Sequence, residues 1–203
     1  IAQFYYGLSI SFRGLETIDV KQFSTALMHG YESAIESLTK PEEGTIITVM
    51  RDVANSAKCI SDNGCIDYIP FVKHIFKEAE RSLKETKTIL KILKKSDVVD
   101  SGALGFVFLI QGVLNVIEKG QGGRIQTTHL DISYELEKIE SLHKDIDFII
   151  ENKFCTECVV KGDNINRSEL KSKIKDFGDS MVIAGSKKHV KVHIHTNQPA
   201  KLF

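Results

Sequence analysis

Residues 101–130, SGALGFVFLIQGVLNVIEKGQGGRIQTTHL, hold the change of character on which the architecture turns. From Ser101 to Lys119 apolar side chains fall on nearly every face: Leu104, Phe106, Val107, Phe108, Leu109, Ile110, Val113, Leu114, Val116 and Ile117. Such a pattern predicts a central helix surrounded by other helices. Directly after it come Lys119, Gly120, Gln121, Gly122, Gly123 and Arg124, then Gln126, Thr127 and Thr128. That composition has too little apolar surface to pack, so a boundary belongs there.

Upstream of this boundary the apolar residues recur at helical spacing, as in Phe23, Leu27, Tyr31 and Ile35, or Ile69, Val72, Ile75, Phe76 and Ala79. Residues 1–12 read as the end of one more apolar helix. Downstream the period changes. Residues 154–160 and 180–184 read as short strands, and His189–Thr196 alternates through Val190, Val192 and Ile194. Between them Asn166, followed three residues later by Glu169, marks a capped helix start. Leu170, Ile174 and Phe177 form its apolar face and Gly178 its stop. The expected fold class is therefore mixed, with an all-α unit over 1–120, a linker over 121–150 and a small α+β unit over 151–203.

A chain of 203 residues with 42% hydrophobic content has room for a core in each unit. Lys and Arg number 27 and Asp and Glu 27, which argues against a grip on a polyphosphate backbone, so nucleic acid is not expected as a partner. The longest uninterrupted apolar run, residues 103–110, is far below the roughly 18 residues of a membrane span, and no transmembrane segment is expected. Four cysteines without a secretory leader fit reduced thiols or a metal site in the cytoplasm. The opening at Ile1 and the abrupt close over 199–203 read as the cut ends of a longer chain.

The sharpest chemical signal is Cys155-Thr156-Glu157-Cys158 combined with His193-Ile194-His195. Residues two apart in a strand share a face, so both imidazoles can converge on one ion. Zn²⁺ accepts two nitrogens with one or two thiolates. If 154–160 is also a strand, Cys155 and Cys158 point to opposite faces, which favours Cys155 as third ligand. The alternative is that the cysteines are small buried apolar residues and the histidines decorate a strand. Two helix starts could receive an anion: Pro41-Glu42-Glu43-Gly44-Thr45 runs into the apolar segment 46–57, and Asp100-Ser101-Gly102-Ala103 opens the apolar helix. Ordinary capping by Asp100 and chain breaking by Pro41 explain the same residues. Lys84, Lys87, Lys91, Lys94 and Lys95 line one predicted helix face opposite Leu83, Leu90 and Leu93, which reads as a solvated face. His29, His74, His129 and His143 have no companion at ligand spacing.

Taken in order, the runs PEEGTIITVMRDVA, KKSDVVDSGALGF, FCTECVVKG and FGDSMVIAGSKKHVKVHIHTNQP resemble the ATP-binding subunit of bacterial fatty acid kinase. Its first domain is similar to the L subunit of dihydroxyacetone kinase. The resemblance covers nearly the whole chain and implies an incomplete helical-barrel-type domain, then a zinc-binding middle domain. It implies that Gly44, Thr45 and Ile46 border the nucleotide and that the turn Asp100, Ser101 and Gly102 closes over its adenosine part. It further implies Cys155, His193 and His195 as zinc ligands, with Cys158 standing where members usually carry an aromatic residue.

An Asp-Gly-Asp-Thr-Gly loop that holds Mg²⁺ and a Gly-Asn-Ser-Gly phosphate turn should precede Ile1, and a further domain should follow Phe203. No catalytic residue is therefore assigned within the chain, and the piece alone is expected to be inactive. The implied parent uses ATP and Mg²⁺ to phosphorylate a fatty acid held by a separate fatty-acid-carrying protein, giving an acyl phosphate, with a homodimer as one option for its assembly. The alternatives are a non-catalytic zinc-dependent binding or assembly module and a dihydroxyacetone (glycerone) kinase-type subunit. An apolar seam left open on the helical part is a further expectation.

Overall fold

The computed structural model describes residues 1–119 and 151–202. The glycine-rich segment expected as a linker, with His129 and His143, lies outside these residues. The chain folds into a helical part followed by a small three-stranded antiparallel sheet, as the periodicities require.

The helices are α1 (Ala2–Ser11), α2 (Val20–Glu36), α3 (Ile46–Asp62), α4 (Tyr68–Ile89), α5 (Lys91–Ser96) and α6 (Ser101–Lys119). α2 starts on a reciprocal cap: Asp19 Oδ1 accepts from the Gln22 amide at 2.7 Å, and Gln22 Oε1 accepts from the Asp19 amide at 2.9 Å. Where α1 meets α2, two glycines let the backbones touch. A methyl group on Gly7 would stand 2.4 Å from the His29 carbonyl oxygen and 2.8 Å from the Gly30 Cα. Phe4, carried into the core by this close approach, meets Phe106 of α6 edge to face at 5.1 Å. One cluster then joins all the long helices, with Leu27, Val49, Met50, Val53, Phe71, Val72, Ile75, Leu83, Phe106 and Val107 at its centre.

Two helical expectations differ from the structure. The lysine-bearing segment is not one helix, because Leu90 adopts φ −86° and ψ 119° and separates α4 from α5. Lys84 and Lys87 sit on α4, whereas Lys91, Lys94 and Lys95 sit on α5. The loop before α3 supplies a physical reason: Gly44, at φ 81°, is packed so tightly on this joint that a Cβ there would lie 2.8 Å from the Leu90 nitrogen. Nor is α6 encircled among the described residues. Ala103, Leu104, Phe106, Val107, Ile110 and Leu114 are buried, while Val113 and Val116 are 36% and 51% exposed. By length and composition Ser101–Glu118 is also apolar enough to cross a membrane. Its place in the same core as α3 and α4 accounts for that composition.

The sheet contains β1 (Phe154–Lys161), β2 (Asp179–Gly185) and β3 (His189–Thr196) in the order β1-β3-β2. α7 (Arg167–Ile174) connects β1 to β2 through a 3₁₀ turn at Lys175–Phe177. Asn166 Oδ1 caps α7 by accepting from the amides of Ser168 and Glu169. Leu170 and Ile174 lie against one face of the sheet with Met181, Ile183, Val190, Val192 and Ile194, whereas Phe177 is 37% exposed in the turn. Strand alternation sends the intervening residues to the opposite, open face.

The outer edge of β2 is covered by the segment between α2 and α3. Leu38 bridges Val182, the Ile183 amide donates to the Ser37 carbonyl at 3.0 Å, and the Thr39 hydroxyl donates to the Met181 carbonyl at 2.8 Å. Lys171 donates to the Leu38 carbonyl as well. An exposed row of strand amides and carbonyls is thereby satisfied by the helical part.

Candidate functional site

The open face of the sheet carries a four-residue square. β1 and β3 pair so that Cys155 faces His195 and Glu157 faces His193 directly. Cys155 and Glu157 are two apart, as are His193 and His195, so all four side chains leave the same face. Cys155 Sγ lies 3.8 Å from His193 Nδ1, and the donor atoms of Cys155, His193 and His195 all lie within 4.8 Å of one another. The two imidazole rings stand 5.1 Å apart. A thiolate with two imidazoles is a donor set of borderline softness that fits Zn²⁺, so the residues present suit that ion.

Carboxylates flank the cluster. Glu157 Oε1 is 3.1 Å from His193 Nδ1, and its Oε2 is 2.7 Å from Lys191 Nζ. The Lys191 hydrogen bond, then the one to His193, holds the Glu157 carboxyl below its ordinary value. On the other side Asp179 Oδ1 stands 3.7 Å from His195 Nδ1, and Asn152 Nδ2 donates to Asp179 Oδ2 at 2.7 Å. Hydrogen bonds from Asn152 and then Ser180 keep Asp179 readily ionised. Ser180 itself sits at φ 53° in a β-bulge between Asp179 and Val182. Cys158 lies on the opposite face, partly buried with Val160 against the sheet core, and does not join the group.

The two helix starts singled out in the sequence come together through one carboxylate. Asp100 Oδ2 accepts from the Ala103 amide at 2.8 Å, capping α6, and from the Ile46 amide at 3.0 Å, at the start of α3. Its own amide donates to Thr86 Oγ1 at 3.2 Å. Gly102 lies against Ile46, so that a methyl group at 102 would stand 3.6 Å from Ile46 Cβ. Thr45 caps α3, donating its hydroxyl to the Glu42 carbonyl at 2.7 Å.

Behind them the Gly44 amide donates to Thr48 Oγ1 at 2.8 Å, Thr48 donates to Glu43 Oε2 at 2.7 Å, and Arg51 reaches Glu43 Oε1 at 2.5 Å. Burial pushes the Glu43 carboxyl up, but the Thr48 hydrogen bond and the Arg51 guanidinium outweigh it and hold the carboxyl below its ordinary value. Capping is thus the local role of Asp100 and Thr45. Its consequence is that Gly44, Thr45, Ile46, Asp100, Ser101 and Gly102 form one patch at two converging positive helix ends. Ser101 and Gly102 are exposed there.

Sequence reasoning missed Glu157 and Asp179. Glu157 had a signal, its two-residue offset from Cys155. Asp179 had none, because its place beside His195 depends on strand order.

Comparison with known proteins places these sites in a family. The DAK2 domain family matches residues 1–115, and the FakA-like middle domain, of the fatty acid kinase type, matches residues 151–203. Curated relatives include uncharacterized proteins of Staphylococcus saprophyticus, 33% identical over 210 residues, and of Staphylococcus epidermidis, 32% identical over 210 residues. Another, from Staphylococcus aureus strain MRSA252, is 31% identical over 214 residues. Each alignment covers 100% of this chain, which spans 37% of the first two relatives and 38% of the third. With a DAK2 domain match over more than half of its length and the middle-domain match after it, the chain belongs to the FakA-like family of fatty acid kinase proteins.

Proposed function

We propose that this chain supplies the adenosine-side wall and the zinc-holding middle portion of an ATP-dependent kinase subunit. The parent protein would transfer the γ-phosphoryl group of ATP to the carboxylate of a fatty acid presented by a separate carrier protein, giving an acyl phosphate. The observation that carries the reading is the shared cap at Asp100, which draws the Gly44-Thr45-Ile46 and Asp100-Ser101-Gly102 segments into one patch. Glycine at 44 and 102 lets a planar ligand approach the backbone, Ile46 offers apolar surface, and the two helix ends favour the electron-rich side of a nucleotide.

Phosphoryl transfer itself depends on positioning and on neutralising the phosphate charge by Mg²⁺. The Asp-Gly-Asp-Thr-Gly loop that would hold Mg²⁺ is not among residues 1–203, so the chain contributes binding and orientation. Cys155, His193 and His195 would hold Zn²⁺, which supplies a cross-link between β1 and β3. A carrier protein suits the chemistry, since neither cluster on this chain is an apolar channel for an acyl chain. A location inside the cell accords with an exposed thiolate ligand.

The test is ATP binding by the longer protein that contains this chain, measured calorimetrically for wild type and Gly102→Val. The variant should bind ATP at least about tenfold more weakly with unchanged helix content, because a side chain there fills the approach to the patch. Unaltered affinity would remove the nucleotide reading. A second reading, a dihydroxyacetone kinase-type subunit, draws on the DAK2 match. Offering dihydroxyacetone and carrier-bound fatty acid in parallel and identifying the phosphorylated product separates the two.

A further inference from the structure

We infer that Glu157 is the fourth ligand of the metal centre, making it a closed Cys-His-His-Glu site; the inference rests on the zinc reading of Cys155, His193 and His195. The geometry begins with His193 Nδ1. This nitrogen faces two acceptors at once, Cys155 Sγ at 3.8 Å and Glu157 Oε1 at 3.1 Å. A single ring proton can serve only one of them well, whereas one metal ion bonds the nitrogen, the sulfur and the oxygen together. Tetrahedral zinc with ordinary bond lengths separates a nitrogen from a sulfur ligand by about 3.6 Å and from an oxygen ligand by about 3.4 Å. The two observed separations lie within a few tenths of an ångström of those edges.

The register supports the assignment. Glu157 stands directly opposite His193, and Cys155 directly opposite His195, so four donors occupy the corners of one square on one face. Cys158, the other candidate for a fourth place, faces the core on the far side of the sheet. Asp179 approaches His195 at Nδ1, which leaves Nε2 for the ion and makes Asp179 the residue that orients that ring. Glu157 is held the same way, with Oε2 engaged by Lys191 and Oε1 turned to the cluster. Charge also balances: a thiolate and a carboxylate with two neutral imidazoles neutralise a divalent ion. A closed, neutral, four-ligand site serves architecture, where a catalytic one keeps a position for water.

The experiment loads the metal-free chain with Co²⁺ and records its visible spectrum and affinity, for wild type, Glu157→Ala and Lys191→Met. Wild type should show intense four-coordinate bands, indifferent to added azide. Glu157→Ala should bind at least about tenfold more weakly, with weakened bands that change on azide addition as the opened position fills. Lys191→Met should keep the wild-type spectrum, which separates ligand loss from loss of the ion pair. Glu157→Ala with wild-type bands and no azide response would overturn the fourth-ligand assignment while leaving the three-ligand site standing. Wild type that takes up no metal would overturn both.

Discussion

Asp100 Oδ2 accepts the amide of Ala103 at 2.8 Å and the amide of Ile46, 54 residues away in sequence, at 3.0 Å. One carboxylate oxygen therefore caps the helix it precedes and tethers the start of another, so that the two helix ends keep a fixed spacing. Any ligand spanning both ends meets a preformed surface, with less ordering to be done on binding.

Replacing Asp100 tests this double role. A lost N-cap costs about 1 kcal/mol, and here two amides lose their acceptor, so Asp100→Ala should destabilise the chain by about 2 kcal/mol in urea unfolding. Asp100→Asn keeps an oxygen acceptor and should lose less than half as much. Equal losses for the two variants would mean that charge, rather than the shared cap, is what matters.

The metal cluster makes a contrasting pair of cysteine predictions. Cys155→Ala should abolish zinc retention by the purified chain. Cys158→Ala should retain about one zinc per chain and lose only the packing of a small side chain, about 1 kcal/mol or less. Metal analysis of both decides it, and zinc loss from Cys158→Ala alone would show that the two faces of β1 have been assigned the wrong way round.

Much of this arrangement was legible in the sequence. The alternation of Val190, Val192 and Ile194 put His193 and His195 on one face, and the same parity rule parted Cys155 from Cys158. What strand parity could not supply was register: that Glu157 lies opposite His193 follows from how β1 aligns with a strand more than thirty residues later. Asp179 reaches His195 only because β2 occupies the far side of β3. In the helical part the periodicity was plain, but the break at Leu90 was hidden. The residues there are good helix formers, and the interruption coincides with the packing of Gly44 on the joint. The apolar run of α6 likewise suggested a helix covered all round, since composition cannot say how many neighbours a helix has. Val113 and Val116 remain open among the described residues.

The glycine contact between α1 and α2 should tolerate no side chain. In Gly7→Ala the new methyl would meet the His29 carbonyl oxygen at 2.4 Å, and backbone cannot rotate away as a side chain can. Overpacking of this kind costs about 1–3 kcal/mol. Thermal unfolding of Gly7→Ala should show that loss, while Gly64→Ala, with open space but a positive φ of 88°, should cost less. The reverse order would contradict the packing of α1 on α2.

The Glu43 network makes stability depend on pH in one direction. Because the Glu43 carboxyl is held below its unfolded value, its contribution is complete above that value and is lost as pH falls through the folded one. Glu43 is largely exposed, so the effect is worth below about 1 kcal/mol. Glu43→Gln should be slightly less stable than wild type at pH 7, with the difference vanishing below about pH 4. A difference that widens on acidification would contradict the sign.

Whether the converging starts of α3 and α6 form one nucleotide-facing patch is read most plainly by hydrogen exchange of the longer protein containing this chain. Addition of ATP should slow exchange together over residues 44–48 and 100–104, with Asp100→Ala uncoupling the two segments. Protection of neither segment at saturating ATP, or of only one, would contradict a shared nucleotide patch.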